Sequence, residues 1–222
     1  TDTASYDDVS STVTVDLAAG TVSGADVGSD TLTGIEKVKT GAGADKLTGG
    51  SGNDTLDGGL GDDNFWVSEG NDVILAGGGT DTLHLSYGYK LLSLTSDSAA
   101  GSLAFVVEKS GVKHTVTVES HQTEPLSTIR IYTNSDNSQY QEYGLSVSYN
   151  AAFNLYRATT NLPTVIGGSS ANDALLGAGG DDIILGNAGD DNLSGGIGDD
   201  ILEGGADNDR YLVDAGDDEI RV

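Results

Sequence analysis

The sequence predicts an all-β fold, with two parallel solenoid segments flanking an antiparallel β-rich insert. Three observations lead there. Gly and Asp recur every nine residues in two separate stretches, each nonapeptide ends in a three-residue alternation with an apolar middle, and the intervening stretch carries strand-like alternation. The chain has 222 residues, 33 of them Gly, with 2 Pro and neither Cys nor Met. That length supports one composite domain or two modest cores.

Thirty-five acidic against 10 basic side chains give a net charge of −25, which repels phosphate backbones and anionic lipid and excludes nucleic acid and membrane surfaces as partners. No apolar run approaches the ~20 residues of a membrane helix, and TDTASYDD lacks the basic and apolar regions of a signal peptide, so a soluble piece without membrane insertion is expected. Without cysteine there is no disulfide frame and no thiolate metal site, and an oxidising compartment is permitted. A disordered acidic linker is ruled out by the order of the residues, not by their proportions.

Residues 1–39 form a lead-in, with a strand at 11–17 (STVTVDL), a bend rich in Gly and Asp, and DTLTGIEKV at 30–38. The first repeat segment occupies 40–85. Cut at nine residues it reads TGAGADKLT, GGSGNDTLD, GGLGDDNFW, VSEGNDVIL, AGGGTDTLH. Asp falls at Asp45, Asp54, Asp63, Asp72 and Asp81, and Leu47, Leu56, Phe65, Ile74 and Leu83 follow two positions later. The second segment, 163–222, places Asp173, Asp182, Asp191, Asp200, Asp209 and Asp218 in the same register, followed by Leu175, Ile184, Leu193, Leu202, Tyr211 and Ile220.

Glycine early in each nonapeptide permits left-handed backbone and leaves room for carbonyl groups to converge. The last three residues make a short strand with one side facing inward. The chain must then wind as a solenoid, two nonapeptides to a coil, with the strands stacking into two parallel sheets. Each Asp would stack on the Asp two repeats later, about one strand spacing of ~4.8 Å away. Carboxylates so close repel unless a hard cation lies between them. Calcium, which takes six to eight oxygens at about 2.3–2.6 Å, fits an all-oxygen donor set better than zinc, copper or magnesium. The bland alternative is that these residues only form turns. A turn former has no reason to keep a strict nine-residue register.

The pattern resembles the RTX (repeats-in-toxin) family, whose G-G-x-G-x-D-x-U-x nonapeptides form calcium-binding parallel β-rolls. The resemblance implies ions between Asp45 and Asp63, Asp54 and Asp72, and Asp63 and Asp81. In the second roll it pairs Asp173 with Asp191, Asp182 with Asp200, Asp191 with Asp209, and Asp200 with Asp218, about seven Ca2+ ions in all. Val67 and Ser68 stand where the glycine pair before Asp72 belongs, and Asp207 replaces a glycine before Asp209, which puts those turns in doubt. The lead-in resembles the segment that precedes such rolls and is expected to cap the first coil. A calcium site at Asp2, Asp7, Asp8 and Asp26 is the alternative. Residues 101–132 resemble the β-hairpins that close many RTX rolls.

In the insert, 86–162, charge nearly balances and seven of the nine tyrosines gather. The runs 89–94, 102–108, 112–118, 126–132 and 145–149 read as antiparallel strands, with His114 and His121 facing solvent. Two readings stand for 134–161. One is a half-buried sheet. The other is a ligand-binding region built from Tyr140, Tyr143, Tyr149, Asn154, Tyr156 and Arg157, since Tyr with Ser and Asn is the mix of recognition loops and Arg grips carboxylates.

No catalytic motif is present. His84, His114 and His121 are too scattered for a zinc triad, GLSVS around Ser146 is no nucleophile elbow, no glycine-rich turn has a P-loop lysine, and no carboxylate pair is singled out. The expectation is therefore not an enzyme. It is an extracellular, calcium-dependent module, monomeric within a longer chain, from a bacterial RTX adhesin exported unfolded by type I secretion and attached to the cell surface through its parent. Its insert would bind a peptide or glycan on a host or neighbouring cell. The alternative is a purely structural folding and secretion segment of a toxin, protease or lipase. A chain that stops at EIRV, inside the repeat pattern, favours an internal module.

Overall fold

The computed structural model describes residues 1–97, 102–119, 128–144, 147–150, 155–158 and 161–222, with the backbone alone at 96–97, 147–150 and 155–157. All regular elements among them are strands. The chain divides into two units, residues 1–91 with 97–141, and 92–96 with 142–222.

The first unit opens with β1 (Thr3–Ser5), β2 (Val13–Asp16), β3 (Thr21–Gly24) and β4 (Gly28–Thr31), followed by β5 (Lys37–Lys39), β6 (Lys46–Thr48), β7 (Thr55–Asp57), β8 (Asn64–Trp66), β9 (Asp72–Leu75) and β10 (Thr82–Leu85). Odd-numbered β5, β7 and β9 pair in parallel in one sheet, and β6, β8 and β10 in another. The register aligns Val38 with Leu56 and Ile74, and Leu47 with Phe65 and Leu83, so one coil takes eighteen residues. All six are at most 1% exposed, and sealing each such side chain from water is worth about 1.5–3 kcal/mol. That burial, not backbone propensity, holds strands of three or four residues.

The lead-in is part of the roll. β1 pairs in parallel with β5 and β2 with β6, while β2, β3 and β4 form an antiparallel meander. Only the strand at 11–17 and the approach to Lys39 are legible in sequence there. β1, β3 and β4 lack a clean apolar alternation.

Beyond the first repeats come β11 (Tyr89–Asp97), β12 (Ser102–Lys109), β13 (Val112–Glu119), β14 (Thr128–Tyr132) and β15 (Tyr140–Gly144). β12 and β13 form an antiparallel hairpin, but β13 lies parallel to β9 and β14 parallel to β10. The strands of this stretch thus extend the roll sheets, because each sheet would otherwise end in a row of unpaired N–H and C=O groups.

In the second unit β16 (Val147–Asn150) and β17 (Leu155–Ala158) form an antiparallel pair, and β17 lies parallel to β19 (Ala174–Gly179). β19 stacks on β21 (Asn192–Ile197) and β23 (Arg210–Leu212), while β18 (Val165–Gly167) stacks on β20 (Ile183–Ala188), β22 (Ile201–Ala206) and β24 (Glu219–Arg221). Ala158, Ile166, Leu175, Ile184, Leu193 and Leu202 form its core, with Tyr211 packed against them.

Candidate calcium centre

Each repeat aspartate enters the roll just before its strand, on the turn side of the coil. The amide of Asp45 donates to Oδ1 of Asp63 at 2.8 Å, that of Asp54 to Asp72 at 3.0 Å and that of Asp63 to Asp81 at 2.8 Å. The second unit repeats this from Thr164 to Asp182, Asp173 to Asp191, Asp182 to Asp200, Asp191 to Asp209 and Asp200 to Asp218, at 2.7 to 3.2 Å. Val13 donates likewise to Asp45 at 2.7 Å, which draws the lead-in into the ladder.

One oxygen of nine of the eleven carboxylates is spent in this way, while Asp54 and Asp173 accept on Oδ2 from the amides of Gly50 and Ser169, four residues earlier. Oδ2 of Asp63, Asp182, Asp191, Asp200 and Asp218 is buried and accepts nothing, and the same holds for Oδ1 of Asp173. A buried carboxylate oxygen without a donor is costly, and a cation or a proton must relieve it. Burial, opposed by the bond from Asp45 and reinforced by Asp81, pushes Asp63 up to about 8. Burial likewise raises Asp182 to about 7 and Asp191 to about 6, and it raises Asp45, Asp54, Asp72 and Asp200.

Seven of the eleven repeat aspartates have a glycine five residues earlier that makes the space, while Thr40, Val67, Ala76 and Val213 stand there before Asp45, Asp72, Asp81 and Asp218. A Cβ at Gly58 would overlap Oδ2 of Asp63, and Gly177, Gly186, Gly195 and Gly204 stand in the same relation to Asp182, Asp191, Asp200 and Asp209. Bare backbone therefore faces the unsatisfied oxygen, leaving carbonyl groups as the remaining donors for a hard cation. Among the described residues no three His, Cys, Asp or Glu side chains converge as a metal cluster. The ladder brings two carboxylates to a rung, and Asp2, Asp7, Asp8 and Asp26 do not assemble a fourfold site. Asp7 instead accepts from Ser5 and pairs with Lys39 at 3.4 Å.

A second ladder runs one position earlier. Side chains of Asn53, Asp62, Asn172, Asp181, Asp190 and Asp199 each accept from the amide eighteen residues on, at 2.8 to 3.1 Å. The recurrence of Asn or Asp at that position was the available signal. Asp207, where a glycine belongs, keeps the left-handed backbone (φ 80°), and the Asp209 rung survives.

The family description "RTX calcium-binding nonapeptide repeat (4 copies)" matches residues 25–65, 60–86, 167–202 and 185–220, together just over half of the chain. The chain belongs to the RTX calcium-binding repeat family. Its RTX match begins at residue 25, inside the lead-in. No curated protein matches the chain. Among solved structures, the crystal structure of extracellular lipase LipA from Serratia marcescens is 19% identical, with a TM-score of 0.22, over 79% of this chain and 30% of that one. The RTX chain thus spans under a third of the lipase's length.

Outside the RTX repeats, the structure describes part of the Tyr-rich segment. Tyr140 is exposed, with the Arg130 guanidinium 4.7 Å from its ring centroid. Tyr143 is 9% exposed, its hydroxyl pushed up to about 12 by burial and by Asp181. Tyr149 stands opposite Tyr156, and Ser148 opposite Arg157, in the β16–β17 backbone register, while Asn154 lies outside the described residues. His114 does not face solvent. It is buried, and its Nδ1 accepts from the amide of Gly70 at 3.0 Å. His121 lies outside the described residues.

His84 is also buried, stacked on Trp66 with centroids 4.3 Å apart. Its Nε2–H donates to Oδ1 of Asn64 at 2.8 Å and its Nδ1 accepts from the hydroxyl of Tyr132 at 2.9 Å. Burial, then Arg130 and Lys46, lower it to about 4. This cluster is structural.

Proposed function

We propose that this chain is a calcium-folded module of a secreted protein, with no catalytic role of its own. Its metal ligands are Asp45, Asp54, Asp63, Asp72, Asp81, Asp173, Asp182, Asp191, Asp200, Asp209 and Asp218, with one qualification for Asp54 and Asp72 argued below. The observation that carries this is the buried Oδ2 of Asp63, Asp182, Asp191 and Asp200, held over bare glycine without a donor. Calcium supplies the positive charge that lets these carboxylates stay ionised while buried. The amides eighteen residues away fix each Oδ1, and the apolar residue two positions on holds the strand in register. Where calcium is scarce the chain stays open, and it folds where calcium is plentiful, which suits export followed by folding outside the cell.

Within that frame we assign the module to an extracellular adhesin attached to its cell through the parent protein, recognising a peptide or glycan of a neighbouring surface. The support is the exposed Tyr140 beside Arg130, together with the Tyr-rich composition of 134–161. A purely structural segment is the second reading, favoured by the use of β13, β14 and β17 to extend the roll sheets and by the burial of Tyr143.

Calcium titration of the metal-free chain, followed by circular dichroism, tests the first claim. A cooperative gain of β signal is expected, and a spectrum unchanged by chelator overturns it. Calcium-dependent retention on cell surfaces, reduced by Tyr140→Ala, tests the second. Equal retention, or none, leaves the structural reading.

A further inference from the structure

The rungs of the first roll differ from one another. At Asp63, Oδ1 accepts from Asp45 and the buried Oδ2 accepts nothing. At Asp72, Oδ1 accepts from the amide of Asp54, and Oδ2 accepts from the hydroxyl of Ser68 at 2.7 Å. At Asp54, Oδ2 accepts from the amide of Gly50 at 2.6 Å. The Ser68 hydroxyl lies against Gly49, where an added Cβ would overlap it and would come within 2.9 Å of Oδ2 of Asp54. Ser68 therefore reaches into the notch between the two carboxylates. Val67, 6% exposed, stands at the position occupied by bare glycine before Asp63.

The turn around Asp72 is also closed by protein. Gly70 donates to Nδ1 of His114 at 3.0 Å, and Thr115 on β13 donates to Oδ1 of Asn71 at 2.8 Å. The repeats supply no aspartate eighteen residues after Asp72, where Lys90 stands. Hairpin β12–β13 continues that sheet instead.

We propose that the Asp54–Asp72 rung holds no calcium ion, because the Ser68 hydroxyl and the Gly50 amide satisfy the Oδ2 atoms that are left without a donor at Asp63, Asp182, Asp191 and Asp200; at Asp173, Ser169 satisfies Oδ2 but Oδ1 stays buried without a donor. This rests on the calcium-ladder reading above and refines it. One side of the first roll is metal-built through Asp45, Asp63 and Asp81. On the opposite side protein donors meet both oxygens of Asp72 and Oδ2 of Asp54. A hydroxyl satisfies one lone pair of an anion but brings no charge, so this rung is held by hydrogen bonds and by the hairpin packed over it.

The test is calcium stoichiometry of the full 222-residue chain, measured by native mass spectrometry at saturating calcium for the parent, Asp72→Asn, Asp63→Asn and the double variant V67G/S68G. Asp63→Asn should lose at least one ion, Asp72→Asn none, and V67G/S68G should gain one. Loss of an ion in Asp72→Asn overturns the inference and leaves the ladder reading intact. Absence of ions in the parent, or no loss in Asp63→Asn, overturns both. Should Asp72→Asn fail to fold, anomalous diffraction from calcium-grown crystals of the parent decides. A peak between Asp54 and Asp72 refutes the proposal, and peaks at Asp63 with none there support it.

Discussion

The amide of Asp182 donates to Oδ1 of Asp200, eighteen residues later, at 2.7 Å, while Oδ2 of Asp200 is buried without a donor. Half of that carboxylate is part of the backbone ladder and half is held out for a cation. Replacing it with the isosteric amide separates the two roles. Asp200→Asn should lower the melting temperature of the calcium-loaded chain and raise the residual β signal of the metal-free chain at pH 9, since a neutral amide is cheaper to bury than an anion. Calorimetry in calcium and circular dichroism in chelator check the crossing. A fall in both conditions would assign the residue to packing alone.

The metal-free chain should be more stable at pH 5 than at pH 8. Asp63, Asp182 and Asp191 are raised from 3.8 to about 8, 7 and 6, so the folded state holds protons that the unfolded chain releases. Their contribution is fully present below pH 3.8 and is lost as pH climbs through those three values. His84 works the other way. Lowered from 6.5 to about 4, its contribution is present above pH 6.5 and is lost as pH falls through 4. Three carboxyls outweigh one imidazole, and circular dichroism of dialysed protein should show more residual β signal at pH 5 than at pH 8.

Gly195→Ala should weaken calcium binding and slow folding, because the new methyl would overlap the carboxylate of Asp200. Gly198→Ala should unfold the second unit outright: it demands a left-handed φ of 145°, and its Cβ would overlap the carbonyl oxygen of Gly180. Isothermal titration reads the first effect and circular dichroism the second.

Ala178 sits at φ 106°, where the corresponding residues of the next three repeats are Asn187, Gly196 and Gly205, all at positive φ. Ala178→Gly should stabilise the chain by about 1 kcal/mol through relief of that strain. Denaturant unfolding in calcium is the measurement, and a loss of stability would contradict the strain argument.

His84→Ala should cost about 2–4 kcal/mol, from a lost aromatic stack and two buried hydrogen bonds. Trp66, the sole tryptophan, would report the change by fluorescence.

The strict nine-residue period made the two rolls, their register and their inward residues legible, since Leu47, Phe65 and Leu83 could face only one way. His84 was legible too, being eighteen residues after Trp66 and therefore beside it. The reading of His114 as solvent-facing overlooks that it shares alternate positions with Val116 and Val118, and the period-two rule that located the strand puts it inside with them. β1 and β4, TAS and GSDT, were not legible: they are held by pairing to neighbours and bury little of their own. The closing role of Ser68 depended on a rotamer reaching Asp72, which spacing alone does not encode.

Because neighbours eighteen residues apart share every contact, the chain can change length only in particular increments. Duplicating eighteen residues would add a full winding and leave all later strands in their sheets. Duplicating nine would send each subsequent strand to the opposite wall. The gene for such a protein can grow or shrink by paired repeats and is punished for odd ones.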